Sequence, residues 1–147
     1  MASVSIASRR DIHDLEQIRA VIITRMTEWA AIPGDDVDYP NNPKGPFKPD
    51  GRPIWARLAD IPGASAATEI GNGPCVRRSG LIIVQLFVPT YKGTLLLTRT
   101  ADTLREHFEF YSDPVLPFEC FAVSQAVPGD DGHGWYQANL TIPYRAG

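Results

Sequence analysis

Apolar residues in the first part of the chain recur at helical spacing. Ile12, Leu15, Ile18, Ile22, Met26 and Trp29 follow one another at intervals of three and four, which stacks them on one helix face. Ser8 and Asp11 form a capping box for its free amides, and Pro33-Gly34 stops it, so a helix is predicted over residues 9–31. A second helix is predicted over residues 94–111. There Leu97, Ala101, Leu104 and Phe108 fall at i, i+4, i+7 and i+11, ahead of Ser112-Asp113-Pro114. Between the helices the pattern is extended. Ile54 to about Asp60 and Ser65 to Ile70 read as strand, with Pro62-Gly63 bending the chain between them. After the turn Gly71-Asn72-Gly73-Pro74, a strand is predicted from Cys75 to Val88. Its half GLIIVQLFV is apolar at both alternating sets of positions, the mark of a central strand buried on two faces. Two more strands, about Phe118 to Val127 and Trp135 to Tyr144, flank the hairpin turn PGDDGHG.

The stretch DDVDYPNNPKGPFKPDGRPIW, residues 35–55, has no apolar period. Prolines at 40, 43, 46, 49 and 53 each fix φ and remove a backbone donor, which excludes a helix or central strand. Structureless connections beyond about 12–15 residues are uncommon in compact domains. Either this loop straps its own domain, with Phe47 and Trp55 as pins, or it is an arm that docks on another protein. Both hold if the strap lies on a neighbouring subunit.

The elements predict an α+β fold. One central, mostly antiparallel or mixed sheet of four to five strands carries two main helices on one face. The chain is read as a single domain, 1–147, with a proline-rich extended loop at 33–53. Two helices cover one sheet face only. The other must be covered by the loop, by a neighbouring subunit, or by both, so an oligomer is expected.

Composition narrows the function. A chain of 147 residues, 44% apolar, can bury a core without disulfides or metals. A net charge of −3 lacks the basic stripe that phosphate neutralisation requires, and the pairs Arg9-Arg10 and Arg77-Arg78 read as solvated. Cys75 and Cys120 have no metal-ligand spacing; buried free thiols are the first reading, and a single disulfide stays open. The N-terminus does not read as a signal peptide, and the apolar run Leu81 to Val88 is too short to span a membrane. A soluble protein made in a cytoplasm is expected.

Candidate chemistry is thin. PGASAA resembles a nucleophile elbow around Ser65, but the second glycine is missing and Ser65 would start a strand. His13, His107 and His133 have no partner at metal spacing and read as surface residues. Asp35-Asp36-x-Asp38 begins like a calcium loop but has Pro40 and Pro46 where that loop needs glycine and glutamate. KGPFKPDG lacks the GK[ST] element of a phosphate loop. No catalytic residue, metal ligand or cofactor is assigned, and the proline loop, with binding as its role, is the best functional candidate.

Four blocks together resemble the tail-terminator proteins of long-tailed bacteriophages, also called tail-completion or minor tail proteins. The first is IHDLEQIRAVIITRM leading to YPNNPKGPFKPDGRPIWARL, with Tyr39, Pro40, Asn41, Pro53, Trp55 and Arg57 in the family's aromatic-Pro-Asn, proline, tryptophan, basic order. The others are GPCVRRSGLIIVQLFVP, KGTLLLTRTADTLREHF with Ala101-Asp102, Leu104 and Phe108, and the closing GWYQANLTIPYRAG. The resemblance implies a virion protein of the tail and neck, assembled in the bacterial host cytoplasm. It implies a homo-hexameric ring on the head-proximal end of the tail tube. That ring stops tube polymerisation, receives the head–tail connector or completion protein, and lets DNA pass its lumen without sequence-specific binding. It implies no enzyme activity and no membrane. Tyr39, Asn41, Phe47, Trp55, Arg57, Arg77 and Arg78 are the expected subunit or tube contacts. Trp55→Ala is expected to weaken assembly and leave the monomer folded. The alternatives are another neck or tube component, such as a head–tail joining or tube protein, and, more distantly, a small serine hydrolase.

Overall fold

The computed structural model describes residues 15–67 and 76–147. Its elements are α1 (Leu15–Thr27), β1 (Val37–Asp38), β2 (Trp55–Ala67), β3 (Val76–Pro89), α2 (Leu95–Phe108), β4 (Phe118–Cys120), β5 (Ser124–Asp130) and β6 (Trp135–Ala146). The six strands form one mixed sheet in the order β1-β2-β3-β6-β4, with β5 also paired to β6. The fold is α+β as the periodicity predicts.

The core lies on one sheet face because the strands alternate in step. Ala56 and Leu58 of β2, Ile82, Val84, Leu86 and Val88 of β3, and Ala138, Leu140 and Ile142 of β6 point to the same side and are buried. Helix α1 lays Ile18, Val21, Ile22 and Met26 on that face, and α2 adds Leu97, Ala101, Leu104 and Phe108. The helices are also clamped to each other. Arg25 donates from Nε and Nη2 to the His107 carbonyl at 3.1 and 2.6 Å, and His107 Nε2 meets the Arg25 carbonyl at 2.7 Å. Trp29 Nε1 donates to Thr103 Oγ1 at 3.2 Å.

Several boundaries differ from those expected. Within the described residues the first helix ends at Thr27, yet Trp29 and Ile32 beyond it stay buried, so the apolar period outlasts the helix. Ser8, Asp11, His13 and the turn 71–74 lie outside the described residues. Pro62-Gly63 does not divide two strands: β2 runs on to Ala67, and the irregularity between Pro62 and Ser65 is absorbed as a bulge. The predicted strand from Phe118 to Val127 is two strands, β4 and β5, which pair with successive parts of β6. Val37–Asp38, inside the predicted loop, adds a short parallel edge to β2.

The larger correction concerns β3. It is central, paired on both sides, but among the described residues only its even positions are covered by helices. Leu81, Ile83 and Gln85 face the opposite side and keep part of their surface, and only Phe87 is buried there. Apolar residues at both sets of positions thus do not mean two covered faces within one chain.

Candidate interaction surface

Three acids that imitate a calcium loop instead lace the proline loop to its own chain. Asp35 pairs with Lys44, Asp36 with Arg52, and Asp38 with Arg57. The Asp36–Arg52 pair is the most shielded, and Arg52 Nε also donates to the Lys48 carbonyl at 2.8 Å. Among the described residues no group of three or more His, Cys, Asp or Glu could hold a metal.

An aromatic stack pins the far end of the loop. Trp55 lies on Phe87 with centroids 4.1 Å apart, Phe47 leans on Trp55 at 5.0 Å, and Trp135 meets it edge-on at 5.8 Å. The Arg57 guanidinium covers Trp55 and Phe87 at 5.2 and 5.8 Å, and Arg52 covers Phe47 at 4.7 Å. The loop therefore caps one end of the helix-free sheet face. Asn41 takes φ +43°, a left-handed turn that asparagine tolerates, between Pro40 and the next prolines. Tyr39 packs half-buried against the core, and burial raises its phenol above the ordinary range. Between the loop and α1 lies a cleft of about 660 Å³, walled by Ile23, Tyr39, Pro43 and Phe47 among others.

Beyond the aromatic cap nothing among the described residues covers the sheet face. Arg57, Ala59 and Ile61 of β2 lie beside Gln85, Ile83 and Leu81 of β3, which lie beside Asn139, Thr141 and Pro143 of β6. The rows are aliphatic, amide and hydroxyl, and the charges near them are matched: Arg57 by Asp38, and Arg145 by Glu119.

The expected contact residues divide. Tyr39, Asn41 and Phe47 keep surface on the loop. Trp55 is 3% exposed and packs in the interior of the single chain, so its part in any subunit contact is indirect, and an alanine there is expected to cost the monomer stability as well. Arg57 already has an acidic partner in its own chain. Arg78 lies in β3 opposite Ser65 and Ala146, and the side chain of Arg77 lies outside the described residues. Ser65 stands in extended β2, not at a turn into a helix. His107 is no free surface residue but the interhelix clamp, and burial lowers its pKa. His133 is exposed in the hairpin turn. Cys120 is a free buried thiol, pushed up to about 12 by desolvation, and so unreactive.

Sequence reasoning missed Asp36, Arg52, Phe87 and Trp135 as parts of the loop's anchorage. The matching of acids at 35, 36 and 38 with cations at 44, 52 and 57 was a legible signal. The convergence of Phe87 and Trp135 on Trp55 was not, since it depends on register.

Compared with known proteins, the chain is similar to a family described as phage tail terminator protein, whose model matches residues 17–144. No curated protein matches it. A solved structure shares the fold with a TM-score of 0.66 at 17% identity, covering 92% of this chain and 96% of that chain. Such a likeness is one of architecture alone.

Proposed function

Because this chain belongs to the phage tail terminator family, we propose that six copies form a ring capping the head-proximal end of the tail tube. The ring ends tube polymerisation and offers its other surface to the head–tail connector. DNA passes through its lumen without sequence-specific contact. As a structural component of the tail, the protein belongs to the virion, and its assembly takes place in the host cytoplasm. The observation that carries this reading is the family match over nearly the whole chain.

The geometry supports it in two ways. A cyclic ring joins unlike patches of one chain, and this chain has unlike patches: a bare sheet face and a laced loop. The loop is held in cis by Asp36–Arg52 and the Trp55 stack, so it meets a partner already ordered, which lowers the entropy cost of docking. Tyr39, Asn41 and Phe47 are proposed as its contact points with the neighbouring subunit or the tube. Trp55 and Arg57 act indirectly, by holding the loop. Arg77 and Arg78, at the far end of β3, are proposed to meet acidic groups of a partner.

The test is tube extension. Purified protein added to growing tubes of its phage should stop elongation and remain as a terminal ring of six. Incorporation along the tube wall would mark a tube subunit, and absence from tube ends would refute the cap.

A further inference from the structure

The sheet ends on two strands whose outer edges are regular, short and unpaired among the described residues. Strand β1 covers β2 only opposite Ala56 and Arg57, and the next four residues, Leu58–Ile61, run on regularly to the bulge after Pro62. On the other side, β5 pairs with β6 alone; Ser124–Ala126 are in regular register, and Val127 and Pro128 stand in the shift before Gly129. Among the described residues no other backbone hydrogen bond reaches either segment. Neither free edge carries lysine or arginine, the usual guard against edge pairing.

We infer that copies in the ring join edge to edge, Leu58–Ile61 of one against Ser124–Val127 of the next, extending the sheet from subunit to subunit. The inference rests on the ring reading above. Polarity permits it. From β2 through β3 and β6 to β5 every pairing is antiparallel, so β5 runs opposite to β2. Rotation about an axis along the strands preserves those directions, and the new joint is antiparallel like the long pairs already present.

The register is bounded as well. Strand β1 blocks β2 up to Arg57, and the regular part of β5 ends at Ala126, before the shift to Gly129, so Ala59 opposes Ala126, Asp60 Gln125 and Ile61 Ser124, with Leu58 and Val127 next in line. This keeps the faces in step. Val127 and Gln125 line the helix side with Thr94 and Leu97, and Leu58 and Asp60 are on the helix side of β2. It covers Val127, which is 59% exposed in the single chain.

Asp60 places a buried acid beside the joint. Its carboxylate is 5% exposed; Oδ1 accepts from the Tyr144 hydroxyl at 2.9 Å, while Oδ2 accepts no hydrogen bond and has Arg19 Nε at 3.8 Å. A buried carboxylate oxygen lacking a donor is costly.

The test places cysteines at Ala59→Cys and Ala126→Cys in one chain. Directly opposed residues of antiparallel strands lie within disulfide reach. Oxidation of tails carrying this double variant should give a ladder of covalent multimers on a non-reducing gel, and each single variant should give none. Gln125→Glu should weaken self-association roughly tenfold or more by setting a second carboxylate against Asp60, with the monomer's melting temperature unchanged. Terminal rings without the ladder, or cross-links from either single variant, would overturn the edge joint and leave the ring. Tails with no terminal ring of this protein would overturn both.

Discussion

Single residues carry much of this fold. Trp55 is enclosed by Phe47, Phe87 and Trp135 within one chain, so Trp55→Ala should cost about 3–5 kcal/mol and lower the melting temperature of the monomer, as calorimetry would record. Gly80 is fixed by space: a Cβ there would lie 2.5 Å from the Tyr144 hydroxyl and 2.7 Å from the Ile61 carbonyl. Gly80→Ala should therefore destabilise the β2–β3–β6 sheet by about 1–3 kcal/mol, measurable by denaturant unfolding. His107 gives a pH dependence with a definite sign. Burial lowers its pKa in the folded chain below the ordinary 6.5. The unfolded chain then binds the proton more readily, so stability present above about 6.5 is lost as pH falls through the lowered value. Unfolding midpoints measured from pH 8 to 5 should show this loss, and His107→Gln should flatten that part of the curve.

At the scale of elements, the proline loop changes meaning once its partners are known. Its prolines forbid helix and central strand, which the sequence states openly. That it folds back on its own sheet is a matter of pairing. Asp36 meets Arg52, Asp38 meets Arg57, and Phe47 reaches Trp55. Arg52→Ala removes both the ion pair and the bond to the Lys48 carbonyl. Amide exchange across Lys44–Gly51 should then quicken roughly tenfold, with the helices unaffected. Slow exchange in the variant would show that the aromatic stack alone holds the loop. The helices were the most legible elements, because each needs only its own spacing of Leu, Ile and Met. The divisions of β2 and of β4 from β5 were the least, because a bulge and a strand break are set by partners in β3 and β6.

Among the described residues the molecule is a sheet with helices on one face and a half-capped second face, and its edges end on short unpaired segments. Light scattering of the purified protein across a concentration series should show a mass rising toward six chains. A monomer at every concentration would confine ring formation to the tube end. The acidic balance, the want of a catalytic constellation and the family likeness are properties of the one-dimensional chain. So are the helical periods and the proline loop, since composition, spacing and fixed φ act locally and need no partner. Which side of β3 stays bare, where Trp55 is buried, and which acids answer which cations were decided only by the tertiary structure. Each depends on strand register, and register shifted by one residue exchanges the two faces of every strand.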